Sequence, residues 1–143
     1  MACMLLGSLL SSAQEKGYWR AASNTAVSIT GDLSISDSRV SINLVNFTMA
    51  QIRRLEPAEV SAIFPSEGLS GESGTLYRLN IPAKQRFIRH NTLCGSEDTQ
   101  WMVTSVEGKT LHVAFFSGAN TPVLTPEAMN NSPDLCGTHT YVR

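Results

Sequence analysis

From Gln14 onward, apolar and polar residues alternate in short runs separated by turn signals, the period of two that belongs to half-buried strands. Thr25 to Ile35 is the cleanest run. Val27, Ile29, Leu33 and Ile35 share one face, and Ser28, Thr30, Asp32 and Ser34 share the other. Gly31 falls on the apolar face, where a missing side chain admits a bulge, a bend or a close neighbour. Ser36-Asp37-Ser38 reads as a turn, after which Val40, Ile42 and Leu44 resume the alternation and complete a hairpin. The phase then shifts to Val45, Phe47 and Met49, which predicts a β-bulge near Leu44-Val45. Upstream, Gln14 to Ser23 reads as a first strand or the lead into one, with Trp19 as a core residue.

The same period returns in the second half. Thr75 to Ile81 places Tyr77, Leu79 and Ile81 on one face, and Pro82 ends it. Gln100 to Ser117 is the strongest hairpin, turning at Glu107-Gly108-Lys109. Its second arm carries apolar residues on both faces (Leu111, Val113, Phe115, Phe116), so it reads as a central strand. Cys136 to Arg143 reads as the closing strand. Between these runs, Pro57 suits the first turn of a short helix through Phe64. Pro65 to Gly74 and Gly118 to Asp134 read as loops. Ala83 to Asn91 fits one or two helical turns or a twisted strand equally well. Short strands at close spacing predict a mainly β chain: a small antiparallel β-barrel or sandwich with one or two short helices.

Residues 1–13 change the picture of where this fold works. They form an uncharged apolar run ending in Ser11-Ser12-Ala13, the pattern of a secretory signal with cleavage after Ala13. No basic segment precedes the run, which fits a signal truncated at its start. The run is too short to span a bilayer. Residues 14–143 then read as one β domain, a length that supports a single core. Removing the leader removes Cys3 and leaves Cys94 and Cys136, each within a Leu-Cys-Gly triplet. An even pair in an exported chain reads as a disulfide, and the export signal favours it over two buried free thiols in a cytosolic protein. Localisation is therefore expected to be periplasmic or secreted.

Charge and motifs exclude more than they select. The chain carries a net charge of −1 and is 16% charged, so no global field draws nucleic acid or an anionic membrane. The basic stretch of Lys84, Arg86, Arg89 and His90 around Phe87 makes Arg86, Arg89 and His90 candidate binding residues, for an acidic protein patch or an anionic glycan rather than nucleic acid. His90, His112 and His139 have no paired metal-ligand spacing, and a zinc site assembled from His90 and His139 is disfavoured against two histidines flanking a disulfide. Gly68-Leu69-Ser70-Gly71 is not a nucleophile elbow. Glu97 and Asp98 sit on adjacent positions and read as a turn cap rather than a catalytic pair. The sequence therefore predicts no catalytic residue, no metal and no cofactor.

Four segments carry a resemblance: Tyr77-Arg78-Leu79, Leu93-Cys94-Gly95, Leu111 to Gly118, and Leu135-Cys136-Gly137-Thr138-His139-Thr140-Tyr141. With Ala26 to Asp32, they resemble a group of small exported bacterial β-domain proteins of uncharacterised function. That resemblance implies compartment and fold and no activity. Ser73-Gly74-Thr75-Leu76-Tyr77 is also similar, in a different spacing, to the Ser-Gly…Tyr loop of periplasmic lysozyme inhibitors, which are small β-barrels with one disulfide. This second likeness implies Ser73 and Tyr77 as candidate binding residues. The expected function is a non-enzymatic domain that binds a protein or a small molecule at a barrel mouth or loop face. Two alternatives stand beside it: an inhibitor of a cell-wall hydrolase acting through the Ser66–Gly74 loop, and an enzyme without a recognisable motif.

Overall fold

Eight antiparallel strands, each paired with the next in sequence, form a closed barrel in the computed structural model, which describes residues 14–69 and 71–143. The strands are β1 (Gly17–Ala21), β2 (Leu33–Ile35), β3 (Arg39–Ile42), β4 (Val45–Leu55), β5 (Gly74–Ile81), β6 (Thr99–Glu107), β7 (Thr110–Ser117) and β8 (Leu135–Val142). The expected leader and Ser70 lie outside the described residues. Closure depends on two strands that turn corners. β1 pairs with β2 through Gly17 to Trp19 and with β8 through Arg20 and Ala21. β4 pairs with β3 through Val45 to Thr48 and with β5 from Met49 onward. The choice the sequence left open, barrel or sandwich, is thus a barrel, with strands that pass from one sheet to the other.

The alternation of side chains builds two apolar layers. Trp19, Leu33, Val40, Ile42, Met49, Leu79, Met102, Leu111, Val113, Phe115 and Tyr141 fill the interior. The opposite faces of β5, β6 and β7 place Leu76, Trp101, Val103, Ala114 and Phe116 outside the barrel wall. There they are covered by Val60 and Ile63 of α1 (Pro57–Ile63) and by Phe64, Leu69 and Leu124. β7 is buried on both faces, as its doubly apolar pattern predicts. α1 starts at Pro57 behind a reciprocal cap between Glu56 and Glu59.

Cys94 and Cys136 form a disulfide, with α-carbons 5.0 Å apart. It ties the loop before β6 to the start of β8. No helix among the described residues is long and apolar enough to cross a membrane.

Three local expectations are corrected. Thr25 to Ile35 is not one strand: Ala26–Thr30 is a π-helical turn closed by the Gly31 N–H on the Ala26 carbonyl (2.7 Å), and only Leu33–Ile35 pairs. Tertiary packing overrides the period of two. The turn buries Ala26 and Thr30, leaves Val27 55% exposed, and brings the Thr30 hydroxyl within 2.6 Å of the Tyr141 hydroxyl. The phase shift after Ile42 is a hairpin turn rather than a bulge. Asn43 and Leu44 adopt φ of 50° and 70°, the paired left-handed residues of a two-residue turn between β3 and β4. The bulge of β4 falls instead between Gln51 and Arg53. Finally, the loop 118–134 holds a second helix, α2 (Pro126–Asn130), whose Ala128 N–H is capped by the Thr125 side chain.

Candidate binding site at the barrel mouth

One end of the barrel, the mouth, gathers the start of β1 and β5 with the ends of β4 and β6. Gly74 opens β5 where a side chain would not fit: a Cβ there would lie 2.6 Å from the Thr104 carbonyl and 3.0 Å from Val60. This close approach sets Thr75 opposite Thr104 on the inner face, with Arg54 of β4 opposite Thr75 on its other side. The Arg54 guanidinium donates to Thr75 Oγ1 (2.6 Å) and Ser73 Oγ (3.0 Å). The Ser105 hydroxyl donates to the Ser73 carbonyl (2.9 Å).

Glu15 closes the mouth from the side of β1. It is 3% exposed, and its carboxylate accepts hydrogen bonds from the Tyr77 and Thr104 hydroxyls. Among the described residues no cation lies within ion-pair distance of it. Hydroxyl donors therefore carry the stabilisation that a buried carboxylate requires. Burial and, next, the Glu15 charge push the Tyr77 phenol above its ordinary range, so it stays a donor. The Glu15 carbonyl accepts from Trp19 Nε1 (2.9 Å). The Arg143 guanidinium stacks on the Trp19 ring at 4.1 Å and donates to the Lys16 carbonyl, locking the segment that delivers Glu15. Between Glu15, Arg54, Glu72 and Ser105 lies a polar recess of about 30 Å³, room for a water or two.

Of the five residues singled out in the sequence, the structure brings two here. Ser73 stands at the rim, and Tyr77 lies inside against Glu15. β5 runs away from the mouth, so the loop after Ile81 carries Arg86, Arg89 and His90 to the opposite end. There Arg86 bonds the Ala83 carbonyl of its own loop (2.9 Å), and Arg89 and His90 occupy left-handed backbone in a short 3-10 turn, Ile88–His90. Phe87 of that loop is buried and meets Phe47, with ring centres 6.2 Å apart. Asp98 caps across this loop, accepting the Ala83 N–H (2.8 Å).

Glu15, Arg54 and Thr104 were not singled out in the sequence. Thr104 carries the one legible signal: a threonine between Met102 and Val106 on an otherwise apolar strand face. Arg54 reads as a solvated charge, and Glu15 precedes any strand pattern.

The histidines do not converge. His112 points outward beneath Phe64, its Nδ1 3.9 Å from Glu67, and burial lowers its pKa. His139 points inward against the edge of Phe115, where burial pushes it down to about 4 and its Nδ1 has no partner among the described residues. His90 is exposed at the far end. Among the described residues no three His, Cys, Asp or Glu side chains are grouped to hold a metal. Comparison with known proteins gives no match: no family model fits the chain, and no curated protein or solved structure is similar to it.

Proposed function

We propose that this chain is an exported, non-enzymatic binding domain that engages a protein or a small molecule at the barrel mouth and the adjoining loop, residues 65–73. The observation that carries the reading is the state of the mouth. Arg54 is exposed at the rim and held by the hydroxyls of Thr75 and Ser73 rather than by a carboxylate, with the buried Glu15 bonded behind it to Tyr77 and Thr104, so one charge is fixed in place where a partner can reach it. Such a preorganised, incompletely neutralised group favours a polar partner that supplies the missing counter-charge. The filled interior supports a partner met at the surface. The disulfide supports an oxidising compartment.

In-cell photo-crosslinking from Glu72 and Ser73, which reach solvent at the rim, tests this reading. The expected result is one discrete adduct from both positions, lost when Arg54→Glu reverses the rim charge. Absence of an adduct from either position in the correctly folded protein overturns it.

A second reading, inhibition of a cell-wall hydrolase, is favoured by the way the same loop is presented. Leu69 is buried in the outer apolar layer and anchors the loop, while Ser66, Glu67, Gly68 and Ser73 are exposed on either side of it. Thr75, Leu76 and Tyr77 are buried in β5, so within the quintet similar to the inhibitor loop Ser73 is the surface residue. Lysozyme turbidity assays decide this reading: clearance that is unchanged at micromolar protein ends it.

A further inference from the structure

A second surface, away from the mouth, carries an inference of its own. Tyr18, Ser34 and Ser41 stand opposite one another across β1, β2 and β3. Their neighbours Trp19, Leu33 and Ile42 are buried in the interior, so alternation turns this row outward. Two small serines flanked by larger residues leave a trough. Its volume is about 260 Å³, and Tyr18, Asp32, Ser34, Ser41, Asn43 and Leu44 line it. That is room for several waters, in a trough open to solvent along one side.

The walls are held in position. Tyr18 is 61% exposed, yet its hydroxyl is tied to the Asp32 carboxylate, which also accepts the Ala21 N–H (2.9 Å). The ring is thereby fixed before any ligand arrives, which lowers the entropic cost of stacking on it. Those hydrogen bonds, the one from Tyr18 first, hold the Asp32 carboxyl below its ordinary range and keep it an acceptor. Opposite stands Leu44, 94% exposed, on backbone at φ 70°. A left-handed leucine is strained by the clash of its Cβ with the backbone, and full exposure returns nothing to folding. Local strain combined with an exposed apolar side chain marks a position kept for contact with something else.

We propose that this trough binds an uncharged saccharide. The Tyr18 ring takes the C–H face of one sugar unit, Asp32, Ser34, Ser41 and Asn43 bond its hydroxyls, and Leu44 covers its edge. The chemistry selects this class of ligand. The lining contains one carboxylate, Asp32, and the Arg20 charge acts on it and on Tyr18 from beside the trough, so the surroundings carry no net charge that favours an anion or a cation. It offers both donors and acceptors in alternation with an apolar ring, which matches a molecule with hydroxyls around its rim and C–H groups on its face.

Amide NMR titration of the folded domain with maltotriose, cellotriose and tri-N-acetylchitotriose tests the proposal, with inorganic phosphate as the anionic control. At least one trisaccharide is expected to shift Tyr18, Asp32, Ser34, Ser41 and Leu44 together, while phosphate leaves them in place. Tyr18→Ala should weaken that binding about tenfold, or 1.4 kcal/mol. Tyr18→Phe, which keeps the ring and loses its tether, should weaken it less, and Ser34→Leu, which fills the floor, should abolish it. The exposed position of Tyr18 leaves the core untouched, and retained spectral dispersion verifies the fold of each variant. The proposal is overturned if none of the three saccharides shifts this row, if Tyr18→Ala binds as wild type, or if phosphate shifts the row as the saccharides do. Each of these outcomes leaves the reading of the mouth standing, because the two surfaces share no lining residue.

Discussion

His139 shows how far one side chain's chemistry depends on the wall it faces. In the sequence it is a polar residue that shares a strand face with Tyr141, alternating with Thr138, Thr140 and Val142; in the barrel it packs edge-on to Phe115, its Nδ1 without a hydrogen-bond partner among the described residues. Its pKa falls to about 4 because the charged ring would lose its water. The consequence has a definite sign. Above its ordinary pKa of about 6.5, the imidazole is neutral in both states and costs nothing. As the pH falls, the unfolded chain takes the proton first, and stability declines until the pH reaches the folded value, by about 3 kcal/mol in all. Urea midpoints should therefore drop between neutral pH and about pH 4.5. His112, also lowered by burial, acts in the same direction, so the readout is the difference between wild type and His139→Leu. The variant should lose most of the slope. Equal slopes would mean that His139 is not buried as described. The mouth residues follow the same logic: Glu15 and Tyr77 gain their roles from each other across 62 positions, a separation at which no local pattern operates.

Among the elements, the β3–β4 hairpin separates what periodicity records from what it misses. Alternation marked the phase shift at Leu44-Val45 at the right place, and it read the cause as a bulge. A two-residue turn shifts the phase in the same way, and the usual glycine or asparagine-glycine signature is absent because leucine occupies the second left-handed position. Leu44→Gly should relieve that conformation and raise stability by about 1 kcal/mol, since the exposed side chain contributes no burial. Thermal melts check this, and an unchanged or lower midpoint would refute the strain assigned to Leu44. A gain in stability together with weaker saccharide affinity is the combination expected if the leucine is kept for binding. The π-helical turn at Ala26–Thr30 misled the pattern for a different reason. Val27 and Ile29 alternate as a strand would, but the far end of the barrel has to be closed. The turn buries Ala26 and Thr30 there, and Asn91 of the neighbouring loop bonds the Ser28 carbonyl (3.2 Å).

For the molecule as a whole, the disulfide is the one long-range link that counting could supply. It joins residues 42 positions apart and binds the loop over the far end to the closing strand. In the chain-entropy account, a loop of that span is worth about 4 kcal/mol. Reduction, or a Cys94→Ser/Cys136→Ser double variant, should lower the urea midpoint by the corresponding amount while the far-ultraviolet β signal persists in the absence of denaturant. Coincident midpoints for the oxidised and reduced protein would show that the bridge adds nothing to stability.

The sequence by itself determined the mainly β class, the strongest hairpin, the doubly buried strand β7 and the pairing of Cys94 with Cys136. All of these rest on local periodicity, turn chemistry or parity, which a linear chain carries in full. Tertiary structure alone decided closure. β1 must meet β8 across more than a hundred positions, and β1 and β4 must each serve two neighbours, which no alternation encodes. Closure also made the sites. It swung Glu15 onto Tyr77 and Thr104, carried Arg86, Arg89 and His90 away from Ser73, and set Tyr18 beside two serines from other strands. Function-bearing proximity in this fold is a property of the curved sheet, and the residues that share it are neighbours only after folding.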